Sequence, residues 1–328
     1  MPSYSGVWNL VAQYQAVGAG TWPPNYVEPR ALISGLDNGT VVNNIDTLIL
    51  TTTGNATDFG DLLGPNRLMT ACSSSSRAIF AGGFEEPGQF NVIQYATFSS
   101  TGNTLDFGDL LASTLEPASC NSSTRGVIAG GSGTGSGDPT NVIQYITIAS
   151  VGNASDFGDL TLARARLAGA SSPTRGVFAG GYDDNSTEYN TIDYITIASA
   201  GNATDFGDLT QIRSALGGCS TSTRAVFGGG YIFTSPSFTY YNTIDYITIA
   251  STGNATDFGD LSVARGWLGG VSSSTQGLFF GGYVVSGSIY YNTIEYVTVA
   301  STGNSVDWGD LTRTANGPCG CSSVNGGL

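Results

Sequence analysis

The sequence predicts an all-β fold: a six-bladed β-propeller of four-stranded blades over residues 30–328, preceded by an extension of residues 1–29. Three observations carry this. Asp-(Phe/Trp)-Gly-Asp-Leu recurs at Asp58, Asp106, Asp156, Asp205, Asp257 and Asp307, in steps of 48, 50, 49, 52 and 50 residues, a period suited to four-stranded blades. Each period contains turn-bounded runs of strand-forming residues, and nothing reads as a long helix. The two ends of the chain also complement each other. Arg30-Ala-Leu-Ile-Ser-Gly35 aligns with Arg77-Ala-Ile-Phe-Ala-Gly82, so the first unit starts at its second strand. Its missing first strand is expected in Cys319-Gly-Cys-Ser-Ser323, closing the ring without an open sheet edge.

One unit shows the strands in order. Leu167-Ala-Gly-Ala170 is a short small-residue strand, and Ser171-Ser-Pro-Thr174 is its turn. Arg175 to Gly181 is the second strand, ended by a glycine pair. A variable loop leads to Ile192–Ala198, rich in β-branched residues and aromatics. Gly201-Asn202 turns the chain, and Thr204 to Leu209 is the fourth strand. The second and third strands are apolar on both faces, as expected of strands squeezed between neighbouring sheets.

Composition excludes several function classes. The chain has no histidine and no lysine; its 11 bases are arginines, set against 25 acids, for a net charge of −14. Ser-His-Asp and Cys-His catalysis, Schiff-base lysines, His-ligated metals and Walker-type phosphate lysines are therefore ruled out. An acidic surface repels phosphate backbones and anionic headgroups, so neither nucleic acid nor membrane insertion is expected. Residues 1–5, Met-Pro-Ser-Tyr-Ser, lack the basic-then-apolar opening of a signal peptide. Release by lysis or assembly is the expected route out of a cell.

Glycine pairs end the second strand at Gly82-Gly83, Gly130-Gly131, Gly180-Gly181, Gly229-Gly230 and Gly281-Gly282. A tyrosine stands 12 residues before the motif aromatic in five units: Tyr95, Tyr145, Tyr194, Tyr246 and Tyr296. Arg164, Arg213 and Arg265 precede the next blade. On these residues the chain, from about 30 to 328, resembles the kelch family, with Phe in place of Trp in five copies and a longer Tyr-to-aromatic spacing. The resemblance implies kelch-like architecture and no particular partner. Kelch-like oxidases need histidine copper ligands, which this chain lacks.

Cys72, Cys120, Cys219 and Cys321 share one repeat position, which Ala170 and Val271 fill elsewhere. Small buried thiols are the expected reading, with a disulfide framework or metal site as the alternative. The paired motif aspartates are read as turn hydrogen-bonding groups and partners for the strand-opening arginines Arg30, Arg77, Arg125, Arg175 and Arg224. Calcium and carboxylate catalysis are the alternatives. Asn55, Asn202 and Asn254 match glycosylation sequons and equally well the repeated Gly-Asn turn, which is preferred.

Gly6-Val-Trp-Asn-Leu10 and Gly20-Thr-Trp-Pro-Pro24 resemble openings of structural proteins of tailed phages. The bland alternative is a strap that packs Trp8 and Trp22 on the propeller. The resemblance implies a non-enzymatic virion protein on a tail or fibre, with other virion proteins and a host-surface glycan or protein as partners. A cellular kelch-like scaffold or lectin is the alternative. No catalytic residue, metal ligand or cofactor is expected.

The loops between second and third strands vary while the flanking strands barely change, as binding loops on a rigid scaffold do. Loops 84–90 and 132–140 are charged or Gly/Ser-rich. The next three carry Tyr182 and Tyr189; then Tyr231, Phe233, Phe238 and Tyr240; then Tyr283 and Tyr290. These eight are the candidate ligand-binding residues, expected on one sector of one face and suited to sugars. Alternatively they pack on one another or on a neighbouring copy.

Overall fold

The computed structural model describes residues 28–85, 88–133, 138–185 and 187–324. It is all-β among these residues. The strap or anchor expected of residues 1–29, with Trp8 and Trp22, lies outside them apart from its last two residues.

Six antiparallel sheets surround a central axis. We number the blades from the one that joins the chain ends. Blade 1 is ordered, from axis to rim, Cys319–Ser322, Arg30–Ser34, Asn44–Ile49 and Thr57–Asp61. Leu32 pairs with Cys321 and Ile33 with Gly320, so the closing strand comes from the C-terminal side as the sequence predicts. Blade 4 is typical: Ala168–Ser171, Arg175–Ala179, Thr191–Thr196 and Thr204–Asp208. Its innermost strand starts one residue later than expected, after a left-handed residue at 166. The innermost strands contact one another in sequence around the axis and line a central channel.

Local chemistry explains the repeated turns. Ser172 Oγ accepts the Arg175 N–H at 3.1 Å and fixes the turn between the first two strands. Ser74, Ser122, Thr221 and Ser273 do the same in other blades. In the motif, the glycine sits at a bulge where its φ is positive, +144° at Gly158. A Cβ there would stand 2.5 Å from the carbonyl oxygen of Gly201 in the next blade, so only glycine lets the Gly-Asn turn dock. Asn202 Oδ1 then accepts the Asp159 N–H at 3.1 Å. This joint recurs around the ring, and Asn55 closes it on Asp310.

The core is a set of six slabs between adjacent blades. Ala170, Val177 and Phe206 of blade 4 meet Leu216, Phe227 and Ile249 of blade 5. Each large apolar side chain so buried contributes about 1.5–3 kcal/mol. The second strand is buried from its second residue onward, as expected of a strand covered on both faces. The third departs from that expectation. Tyr194 is half-buried and Thr196 exposed, and the Arg175 guanidinium lies 4.5 Å over the Tyr194 ring. Tyr194 also meets Phe206 edge-on at 6.0 Å, which accounts for the spacing of 12.

The arginine partners differ from those the sequence suggests. Arg77, Arg125, Arg175 and Arg224 donate to carbonyls of the following blade, at Ile148, Ile197, Ile249 and Val299. Among the described residues no motif aspartate forms an ion pair with them. The first aspartate of each motif faces solvent, and the second works through its backbone. All five cysteines are free and buried. Burial pushes the Cys72 and Cys319 thiols up to about 12, which keeps them protonated and unreactive.

Candidate functional site

The site is built where each outermost strand crosses to the next blade's innermost strand. Leu160, buried, anchors the crossing into blade 4, and Arg164 follows at 0% exposure. Arg164 donates to the Thr191 carbonyl at 2.9 Å and pairs with Asp193 at 2.8 Å. Arg213 and Asp245 repeat this in blade 5, and Arg265 and Glu295 in blade 6, both at 2.9 Å. Burial pulls all three guanidinium pKa values below the ordinary arginine value, against the pull of the acids. Burial alone would raise the Glu295 carboxyl; Arg265 with the Ser262 and Ser305 hydrogen bonds holds it below the usual range. These arginines are therefore structural anchors.

Two residues further on, the chain reaches the channel mouth in a left-handed turn. Leu68, Glu116, Arg166, Ala215 and Trp267 have φ between 52° and 57°, and Gly317 has 66°. From Glu116 to Gly317, each of these residues hydrogen-bonds the one from the blade before it. Glu116 N–H donates to Leu68 O at 2.8 Å, and Arg166, Ala215, Trp267 and Gly317 continue the series at 2.8–3.1 Å. The rim encloses a cavity of about 140 Å³.

One side of this mouth is polar and aromatic. Arg166 Nε lies 2.7 Å from Glu116 Oε2, and its Nη1 donates to Tyr231 Oη at 2.7 Å. Its guanidinium lies 4.7 Å from the Tyr182 ring and 5.5 Å from Trp267. Burial would lower the Arg166 pKa, but Glu116, Tyr231 and Tyr182 hold it charged, above the ordinary value.

The predicted site residues gather here unevenly. Tyr231 stacks on Trp267 at 4.4 Å and meets Phe238 edge-on at 5.2 Å. Its own ring is only 3% exposed, so it supports the mouth from beneath. Phe233 packs on Phe238 at 4.8 Å yet stays 39% exposed. Tyr240 Oη accepts the Val285 N–H, tying the hairpin Tyr231–Thr234/Ser237–Tyr240 to the next loop. Tyr283 bridges Trp267 and Tyr290 at 6.0 and 4.5 Å. Tyr182 joins through Arg166. Tyr189 stands apart and donates its hydroxyl to Asp183 at 2.8 Å.

Sequence reasoning missed Glu116, Arg166 and Trp267. The position changes from Leu to Glu, Arg, Ala, Trp and Gly, but the residue before it differs in every copy as well, and only the residue after it is restricted, to Met, Leu or Pro. Among the described residues there is no cluster of three or more acids or cysteines placed to hold a metal.

No protein-family model matches the sequence, and no curated protein matches it. The fold is similar to that of the solved structure titled "Structure of YjhT", with a TM-score of 0.70 at 11% identity, over 84% of this chain and 94% of that one. At that identity the likeness establishes the propeller alone.

Proposed function

We propose that this chain is a non-enzymatic binding propeller, a kelch-like protein carried on the tail or fibre of a tailed phage, that engages a glycan on the host surface. The observation that carries the binding reading is the aromatic sector of blades 4–6. There the loops change most while the blades beneath them repeat, and the rings of the blade 5 and blade 6 loops are tied through Trp267 into one cluster beside the channel mouth, which Tyr182 joins through Arg166. Flat aromatic surfaces beside fixed hydrogen-bonding groups suit sugar rings. The virion setting is supported by the phage-like opening at residues 6–24 and the near-identical repeats.

The test has two arms. A Phe233→Ala/Phe238→Ala variant, checked for an intact fold, is expected to bind host cells or surface polysaccharide at least tenfold more weakly than the parent. Equal binding overturns the assignment of this face. Mass spectrometry of purified virions is expected to detect the protein. Its absence there, with a gene remote from tail genes, would replace the virion reading with a cellular scaffold or lectin.

A further inference from the structure

We propose that the channel mouth is a pocket for one neutral pyranose unit, with Glu116, Arg166 and Trp267 determining its specificity. This rests on the glycan-binding reading above and names the subsite and ligand class.

The backbone makes the first case. All six rim positions are left-handed, a conformation that costs non-glycine residues free energy and that glycine adopts freely. Gly317 shows that glycine serves at a rim position, since it accepts the same turn and donates the same hydrogen bond, to Trp267 O at 2.9 Å. Leu68, Glu116, Arg166, Ala215 and Trp267 therefore carry strain that the turn itself does not require. Strain kept at five equivalent positions marks a place where the side chains are used.

The side chains make the second case. Glu116 is 5% exposed and Arg166 27%, and their ion pair leaves this part of the mouth without net charge. Arg166 is held by Glu116 and Tyr231 and flanked by Tyr182 and Trp267. A fixed guanidinium beside a fixed carboxylate offers donors and acceptors together, the set that adjacent sugar hydroxyls match. The Trp267 ring, which lines the cavity, supplies the apolar surface that a pyranose C–H face needs, and Tyr182 backs the Arg166 guanidinium.

The remaining constraints are charge and size. The neutral pair sits on a chain of net charge −14, which disfavours phosphates and acidic sugars. The cavity of about 140 Å³ is small beside the roughly 300–1,000 Å³ that encloses drug-sized ligands. It fits one ring at a chain end, while the outer aromatics would meet the next units.

The full chain is titrated with neutral methyl hexopyranosides and with glucuronate, following the Trp267 indole N–H by NMR with W267F for assignment. At least one neutral pyranoside is expected to shift that signal, with glucuronate at least tenfold weaker. Trp267→Gly and Ala215→Leu are each expected to weaken binding at least tenfold. The second keeps every rim contact, and Leu68 shows that leucine is accepted in this turn. Phe233→Ala should weaken attachment to host cells. If the parent attaches to cells through Phe233 but no pyranoside binds, or the rim variants bind as the parent does, the pocket falls and the glycan-binding reading stands. Glucuronate binding equal to that of the neutral sugars overturns the ligand class. If the parent binds neither cells nor sugars, both fall. Should Trp267→Gly fail to fold, Ala215→Leu decides.

Discussion

Blades 4–6 and blades 2–3 solve one structural problem with different chemistry. The crossing residue must satisfy carbonyls under the glycine pair, and the third strand must hold the outer strand's exit. In blade 4, Arg164 does the first and Asp193 the second, accepting the Thr161 N–H at 3.1 Å and its hydroxyl at 2.6 Å. In blade 2, Asn66 donates to Gly82 O at 2.9 Å, and Gln94 accepts the Leu63 N–H at 2.8 Å. The substitutions move together: arginine, acid and hydroxyl on one side, and a neutral set built on Gln94 or Gln144 with Leu63 or Leu111 on the other. The charged set lies beneath the aromatic sector. The difference teaches that the ring is uniform in backbone and divided in side chains, with the more costly anchors under the loops that carry the candidate site.

The largest expected effect comes from breaking one charged anchor. Arg213→Met leaves Asp245 buried without its counter-ion and should cost about 3–5 kcal/mol in denaturant unfolding. The pair Arg213→Asn/Asp245→Gln copies blade 2 and should lose less than Arg213→Met alone. A double variant as unstable as the single would refute the equivalence of the two sets. Gln144→Leu in blade 3, which removes only a neutral acceptor, should cost about 1–3 kcal/mol.

A second contrast lies at the channel wall. Cys120 Sγ occupies the space where a Cβ on Gly176 of the next blade would stand, and Cys72 faces Gly126 likewise. Where Ala170 replaces the cysteine, Ala225 replaces the glycine. Gly176→Ala should therefore cost about 1–3 kcal/mol by overpacking, and Cys120→Ala should recover most of it in thermal unfolding. No recovery would show that the two positions are not matched in size.

The seam blade offers a smaller, pH-dependent comparison. Asp46 occupies the acid position of blade 1, but Ala315 stands where the arginine would be. Burial raises its pKa against the Thr312 hydrogen bonds. Its contribution is thus present at acid pH and lost as pH rises through the raised value, so Asp46→Asn should gain on the parent towards neutral pH. Glu295, held below the usual value, has the opposite sign. It stabilises above the ordinary carboxylate range and loses that contribution as pH falls through its lowered pKa. Glu295→Gln should cost most near neutral pH and progressively less in acid. Melting temperatures across the acid-to-neutral range check both slopes.

The smallest effect tests the strain itself. Ala215→Gly relieves a left-handed alanine and should stabilise by about 0.5 kcal/mol after glycine's entropic cost.

The blades, the strand order and the closure were legible because a period of about 50 residues fixes each strand against five other copies. The charged anchors were half legible. Arg164 and Arg213 stood out, but Asp193 and Asp245 lie 29 and 32 residues away across loops of unequal length, which hides the matched change. The rim was not legible. Comparison of repeats treats a position that differs in every copy as noise, and a left-handed residue is usually betrayed by glycine or asparagine, which five of the six lack. The aromatic sector was found from loop composition, whereas the inward placement of Tyr231 depends on Trp267, which belongs to a different connection.

Ring closure also determines how the molecule bears load. Arg30 and Ser323 face each other across the seam, with Ser323 N–H donating to Arg30 O at 2.9 Å. Both lie at the end of the sheet away from the channel mouth, where Cys319 and Gly35 sit. A protein held through the segment before Arg30 would present its mouth away from the attachment. Tension on that segment pulls along a strand gripped on both sides, so its perpendicular hydrogen bonds resist together in shear. Tension between residues 30 and 323 would instead peel the same bonds one at a time. Of these two loadings, the seam resists the first better.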